Sequence, residues 1–105
     1  MTQYLTIWEY KVKVPKMREF EKLYGPAGEW VKLFSTDDNY IKTELHKDIN
    51  DPYRFVTIDY WKSKEAYYSF RNSAKKDFEI IDKAGEELTE IEAHLGEFFS
   101  SQSKV

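Results

Sequence analysis

The sequence predicts one α+β domain with its elements in the order β-α-β-β-α-β. Three observations carry that prediction. Segments Tyr4 to Lys13, Tyr40 to Asp48 and Arg54 to Trp61 alternate with the period of two that marks strands. The stretches Met17 to Phe34 and Ser63 to Leu88 carry apolar residues at helical spacing. The composition, 41% hydrophobic and 17% aromatic over 105 residues, suits a single core and is too apolar for a disordered chain.

The first strand has two apolar faces. Leu5, Ile7 and Glu9 share one; Tyr4, Thr6, Trp8, Tyr10 and Val12 share the other. Such a strand is expected to be covered on both sides. Pro15 then opens a helix, since proline is tolerated at the first helical position. Met17, Phe20, Leu23 and Tyr24 form its stripe, Gly25-Pro26-Ala27-Gly28 interrupts it, and Trp30, Val31 and Phe34 resume it. The interruption reads as a helix terminator or as a hinge. Tyr40 to Asp48 places Ile41, Thr43 and Leu45 opposite Lys42, Glu44 and His46. Turn residues Ile49 to Tyr53 join it to Arg54–Trp61 as a hairpin. In that third strand Phe55, Thr57, Asp59 and Trp61 oppose Arg54, Val56, Ile58 and Tyr60.

Ser63 is an N-cap for the long helix that follows, and Glu65 favours its first turn. Asn72-Ser73 is the place where this helix would bend. Ala93 to Phe99 reads as a fourth strand; the rival is a short helix capped by Thr89 with Glu92 three residues on. The order is that of a ferredoxin-like antiparallel sheet with helices on one face. Residues 1–99 are expected to form the domain, and the polar stretch 100–105 a flexible tail. The uncovered sheet face is apolar and needs a partner, so a homodimer through sheet faces is expected.

Several classes are excluded. Without cysteine there is no disulfide, thiolate metal site or cysteine nucleophile. Two histidines, His46 and His94, cannot make a three-histidine metal site within one chain, and no metal is expected. A net charge of −3 lacks the basic footprint of a nucleic-acid binder. No signal peptide or membrane span is apparent, so a cytoplasmic location is expected.

Ile7-Trp8-Glu9-Tyr10-Lys11-Val12, running into the Pro15–Phe20 helix start, pairs with Val56 to Trp61 followed by Ser63, Glu65, Ala66 and Tyr67. Together these segments resemble the antibiotic biosynthesis monooxygenase superfamily of dimeric α+β barrels. The resemblance implies a homodimer with a pocket in each subunit between sheet and helices. It implies a cofactor-independent monooxygenase acting on a small aromatic, quinol or polyketide-like molecule whose deprotonated form supplies the electrons. The haem-degrading branch carries an Asn on the first strand and a His on the second helix. Tyr4 to Lys13 has no Asn, Ser63 to Leu88 has no His, and Phe70 stands nine residues after Trp61. Haem degradation is therefore not expected.

Candidate catalytic residues are Asp59, Trp61, Glu9 and His46. Asp59 shares a face with Trp61, and a carboxylate among aromatic rings has its charged form disfavoured, which suits a general base. Trp61 offers an indole N–H to a substrate oxygen, or simply fills the core. Glu9 and His46 are alternative bases, each also readable as a solvated strand residue. Trp30, Phe34, Tyr67 and Phe70 are candidate substrate-binding residues, with core packing as the plainer role. The alternative function is a non-enzymatic dimer that binds a small hydrophobic ligand or serves a structural purpose.

Overall fold

The structure, a computed structural model, describes residues 2–100. Strands β1 (Tyr4–Val12), β2 (Tyr40–Lys47), β3 (Arg54–Trp61) and β4 (Thr89–Phe99) form one antiparallel sheet in the order β2-β3-β1-β4. Helices α1 (Met17–Tyr24), α2 (Glu29–Phe34), α3 (Lys64–Ser73) and α4 (Lys75–Glu86) supply the second layer. The α+β, ferredoxin-like arrangement predicted from the alternation is the one observed. Among the described residues no helix is long and apolar enough to cross a membrane.

Local chemistry explains the boundaries. Pro15 sits in a single 3₁₀ turn, Val14–Lys16, that leads into α1. Gly25 to Gly28 is a tight corner: a Cβ on Gly28 would lie 2.2 Å from the Leu23 carbonyl oxygen. At the start of α3 the Ser63 hydroxyl accepts from the Ala66 N–H at 3.1 Å. The long helix does bend, one residue beyond Asn72-Ser73, at Ala74. There the Ser73 hydroxyl donates to the Phe70 carbonyl at 3.0 Å, a back-bond that competes with the helix ladder. In the β2–β3 turn the Asp48 carboxylate accepts the Asn50 N–H at 2.7 Å, and Asp51 accepts the Tyr53 N–H at 3.0 Å.

Two readings are refined by the sheet. A register shift between Tyr40 and Lys42 puts Tyr40, rather than following the simple alternation, on the helix side, where its ring lies 5.4 Å from that of Trp61. Residues Thr89–Phe99 are a strand, not the rival capped helix. The physical reason is β1: its second edge holds backbone donors and acceptors that only a strand can pair. Ser100 continues the pairing, donating its N–H to the Gln3 carbonyl at 2.9 Å. The rest of the expected tail, 101–105, lies outside the described residues.

The helix-side core divides into two aromatic clusters. One holds Tyr4, Phe34, Trp61, Tyr67, Phe70 and Phe78. The other holds Tyr10, Val12, Phe20, Tyr24 and Phe55. On the opposite, uncovered face lie Leu5, Ile7, Val56 and Ile58, with Ile91 and Phe98 of β4 about half-exposed.

Gly85 is buried inside α4, where glycine is otherwise unfavourable. A Cβ there would stand 2.3 Å from the Tyr24 hydroxyl oxygen, so the phenol occupies the space a side chain would need. Gly85→Ala is expected to cost about 1–3 kcal/mol by overpacking. Removing that hydroxyl with Tyr24→Phe should recover part of the loss. Urea unfolding of the two single variants and the double variant measures both effects; additive losses would show that the two sites do not interact.

Candidate active site

Between the two clusters lies a cavity of about 80 Å³ that opens to the surface. The sheet supplies its floor through Trp8, Tyr10, Thr43, Thr57 and Asp59. Tyr24, Trp30 and Phe34 come from α1 and α2, and Tyr67 and Phe78 from α3 and α4. Arg71, Asp82 and Glu92 bring charge to the lining.

The floor is polar where the sheet is otherwise most apolar. Thr43, Asp59 and Thr6 stand opposite one another in register across β2, β3 and β1. Thr6, Thr57 and Asp59 are all buried. The Thr43 hydroxyl donates to Asp59 Oδ1 at 2.7 Å and itself accepts from the Tyr40 hydroxyl at 2.8 Å. Among the described residues nothing donates to Oδ2. Burial raises the Asp59 carboxyl from 3.8 to about 6, and the Thr43 bond opposes the rise. Asp59 can therefore hold or release a proton near neutral pH.

Burial shifts the neighbouring ionisable groups upward as well. It pushes Tyr67 up to about 12 and also raises Tyr10 and Tyr24. All three phenols remain hydrogen-bond donors across the physiological range. Burial, then the charge of Glu86, raises Asp82; burial, then Asp82, raises Glu92.

The structure gathers Asp59, Trp30, Phe34 and Tyr67 around the cavity. Trp61 lies outside the lining, fully buried, 5.5 Å from the Phe34 ring and 5.3 Å from that of Phe70. Its Nε1 has no partner among the described residues. Phe70 packs with it in the same cluster. Glu9 and His46 face the other side of the sheet. Glu9 pairs with Arg54, and His46 Nε2 lies 3.4 Å from Glu44 Oε1.

Sequence reasoning passed over Thr43, Tyr10, Tyr24 and Arg71. Thr43 was readable in principle, because a hairpin pairs each residue of β2 with one of β3. Tyr24 looked like core because its stripe is helical, and a stripe does not say where a gap falls. His94 also gains a setting: its Nε2 lies 2.8 Å from the Thr6 hydroxyl and its ring 4.6 Å from that of Trp8.

The antibiotic biosynthesis monooxygenase family model matches residues 4–76. This chain belongs to that family. No curated protein matches the sequence. SnoaB, a cofactor-independent oxygenase from Streptomyces nogalater, has a similar structure at a TM-score of 0.77 and 18% identity, with 98% of this chain and 97% of SnoaB covered. A conserved protein from Methanosarcina mazei is similar at 0.69 and 15%, covering 98% and 95%. A NIPSNAP family protein from Agrobacterium tumefaciens is similar at 0.69 and 13%, covering 97% and 89%. At such identities the likeness concerns the fold. In this antibiotic biosynthesis monooxygenase family chain, the site rests on its own residues.

Burying Asp59 has a cost that depends on pH. Its folded value, about 6, stands above the ordinary 3.8. Its contribution to stability is thus complete below about pH 4 and lost as pH rises through about 6. The difference amounts to about 3 kcal/mol. Asp59→Asn, which keeps the shape and an acceptor for Thr43, should abolish that dependence and be more stable than the natural protein at pH 7. Paired urea titrations at pH 4 and pH 7 measure it; parallel pH profiles for both proteins would refute the buried-carboxyl account.

Proposed function

We propose that this protein is a cofactor-independent monooxygenase acting on a small aromatic, quinol or polyketide-like molecule with an acidic hydroxyl or activated CH₂. One observation carries the reading: an ionisable carboxyl, Asp59, forms part of the floor of an aromatic cavity, with one oxygen held by Thr43 and the other unpaired. Asp59 takes the proton from the substrate. The substrate anion gives its electrons to dioxygen. A CH₂ becomes C=O, one oxygen atom enters the carbonyl, and the other leaves as water with the two hydrogens. Tyr10, Tyr24 and Tyr67 offer phenolic donors in the cavity. Trp30, Phe34 and Tyr67 bind the ring, while Trp61 and Phe70 support Phe34 from behind. Glu9 and His46, on the far face, take no part.

Oxygen uptake with a panel of hydroquinones and anthrone-like substrates tests this. The rate is expected to rise with pH through about 6, as Asp59 ionises. Asp59→Asn should lower it by about 10²-fold or more. Equal turnover by Asp59→Asn would remove Asp59 from the mechanism.

The second reading, a non-enzymatic binder of a small hydrophobic ligand, draws on the cavity's size. About 80 Å³ is small beside the roughly 300–1,000 Å³ of sites for drug-sized molecules. Ligand binding without oxygen uptake across the panel would select it.

Either reading includes a homodimer through the uncovered sheet face. Leu5, Ile7, Val56 and Ile58 make its centre apolar, and Ile91 and Phe98 extend it. Sedimentation should show a dimer at micromolar concentration, and Ile58→Glu, which puts a charge at the centre of that face, should give a folded monomer. A natural protein that sediments as a monomer would overturn the dimer.

A further inference from the structure

We infer that Trp30 sets both the size and the polarity of what the cavity admits, holding it to a single ring that presents an oxygen to the indole N–H. The inference rests on reading the cavity as a substrate site. Among the described residues Trp30 is the side chain packed against both aromatic clusters, so it stands at their seam. It also lines the cavity, with Phe34 at 5.5 Å and Phe78 at 5.3 Å between ring centroids. Phe34 and Phe78 are buried, whereas Trp30 is half-buried and belongs to the six-residue helix α2. Of these three rings it is the one most open to solvent.

Its Nε1 is buried with no well-aligned acceptor among the described residues, the neighbouring Tyr24 hydroxyl being the one side chain that it influences as a donor. A buried donor is normally paired. Trp61 Nε1 is also unpaired among the described residues, but the rings of Tyr40, Tyr67 and Phe70 pack against the Trp61 ring at 5.3 to 5.4 Å between centroids, and Trp61 stands outside the cavity lining. Trp30 lines the cavity and Trp61 does not, so of the two indoles only that of Trp30 borders the space a ligand would fill. One hydroxyl oxygen suits both polar groups, since it has a proton to give to Asp59 and lone pairs to accept from Trp30.

The space agrees with a single ring. About 80 Å³ is less than the roughly 150 Å³ of an enclosed cavity that takes benzene. One ring therefore keeps its far edge in the opening, and a fused second ring has to displace an aromatic wall.

Calorimetric titration under argon, where no turnover occurs, tests this with phenol, benzene and 2-naphthol. The natural protein should bind phenol at least about tenfold more tightly than 2-naphthol. Trp30→Phe keeps a ring and removes the donor; it should weaken phenol about threefold to tenfold and leave benzene unchanged. Trp30→Ala should bring 2-naphthol level with phenol or above it. Equal binding of phenol and 2-naphthol by the natural protein overturns the size limit. Equal losses for phenol and benzene in Trp30→Phe overturn the donor. If Trp30→Ala does not fold, the natural protein and Trp30→Phe decide both points. Binding that ignores every Trp30 substitution removes the gate and leaves the substrate site standing; no binding of any probe removes both.

Discussion

A carboxyl group enclosed by aromatic rings is the constraint on which the rest of this molecule depends. Strand alternation brings Asp59 to the helix side of the sheet between Thr57 and Trp61, all three buried. A charge there would be intolerable in a closed core. The structure answers in two ways. It leaves a gap in the core at that point, with Thr43 bound to one carboxyl oxygen. It also divides the aromatic packing into two clusters, and among the described residues Trp30 packs against both. The unusual aromatic content thus fills two separate cores beneath the helices, and the seam between them is where chemistry has room.

Much of the fold could be read from the sequence because period-two alternation is a strong signal. β3 is the clearest case: the residues assigned to its two faces are those found there. The same signal could not place Tyr40, because a single extra residue in β2 reverses the faces beyond it. β4 was ambiguous because Thr89 and Glu92 satisfy a local helix-capping pattern, and the demand that overrides it comes from the unpaired edge of distant β1. The site was harder to see. Alternation identified Asp59 as facing inward and placed Glu9 on the other face from Trp8 and Tyr10. It did not reveal that Trp61 would sit in one cluster while Trp30 would touch two. Which helical stripe meets which strand row is a question of three-dimensional docking, and no spacing along the chain encodes it.

The family frame and the chain's own residues answer different questions. Shared topology at low identity says how the layers stack, since many side-chain sets can fill the same scaffold. It does not say which group accepts a proton or how large a ligand fits. On the function proposed here, those properties belong to Asp59, Thr43, Trp30 and the phenols around them. The arrangement also shows why a site of this kind carries a stability burden: the group that makes the cavity useful is the one that the core would most readily exchange for a neutral residue.

The ladder between β1 and β4 has a kinetic meaning as well. It pairs Tyr4 with Phe99 and Val12 with Thr89, so its formation closes nearly the whole described chain into a loop. The β2–β3 hairpin, joined by the short segment between Lys47 and Arg54, closes a far smaller one. Loop entropy makes the β1–β4 closure costlier by about 2 kcal/mol. Topology therefore makes the hairpin the cheap closure and the pairing that completes the sheet the costly one.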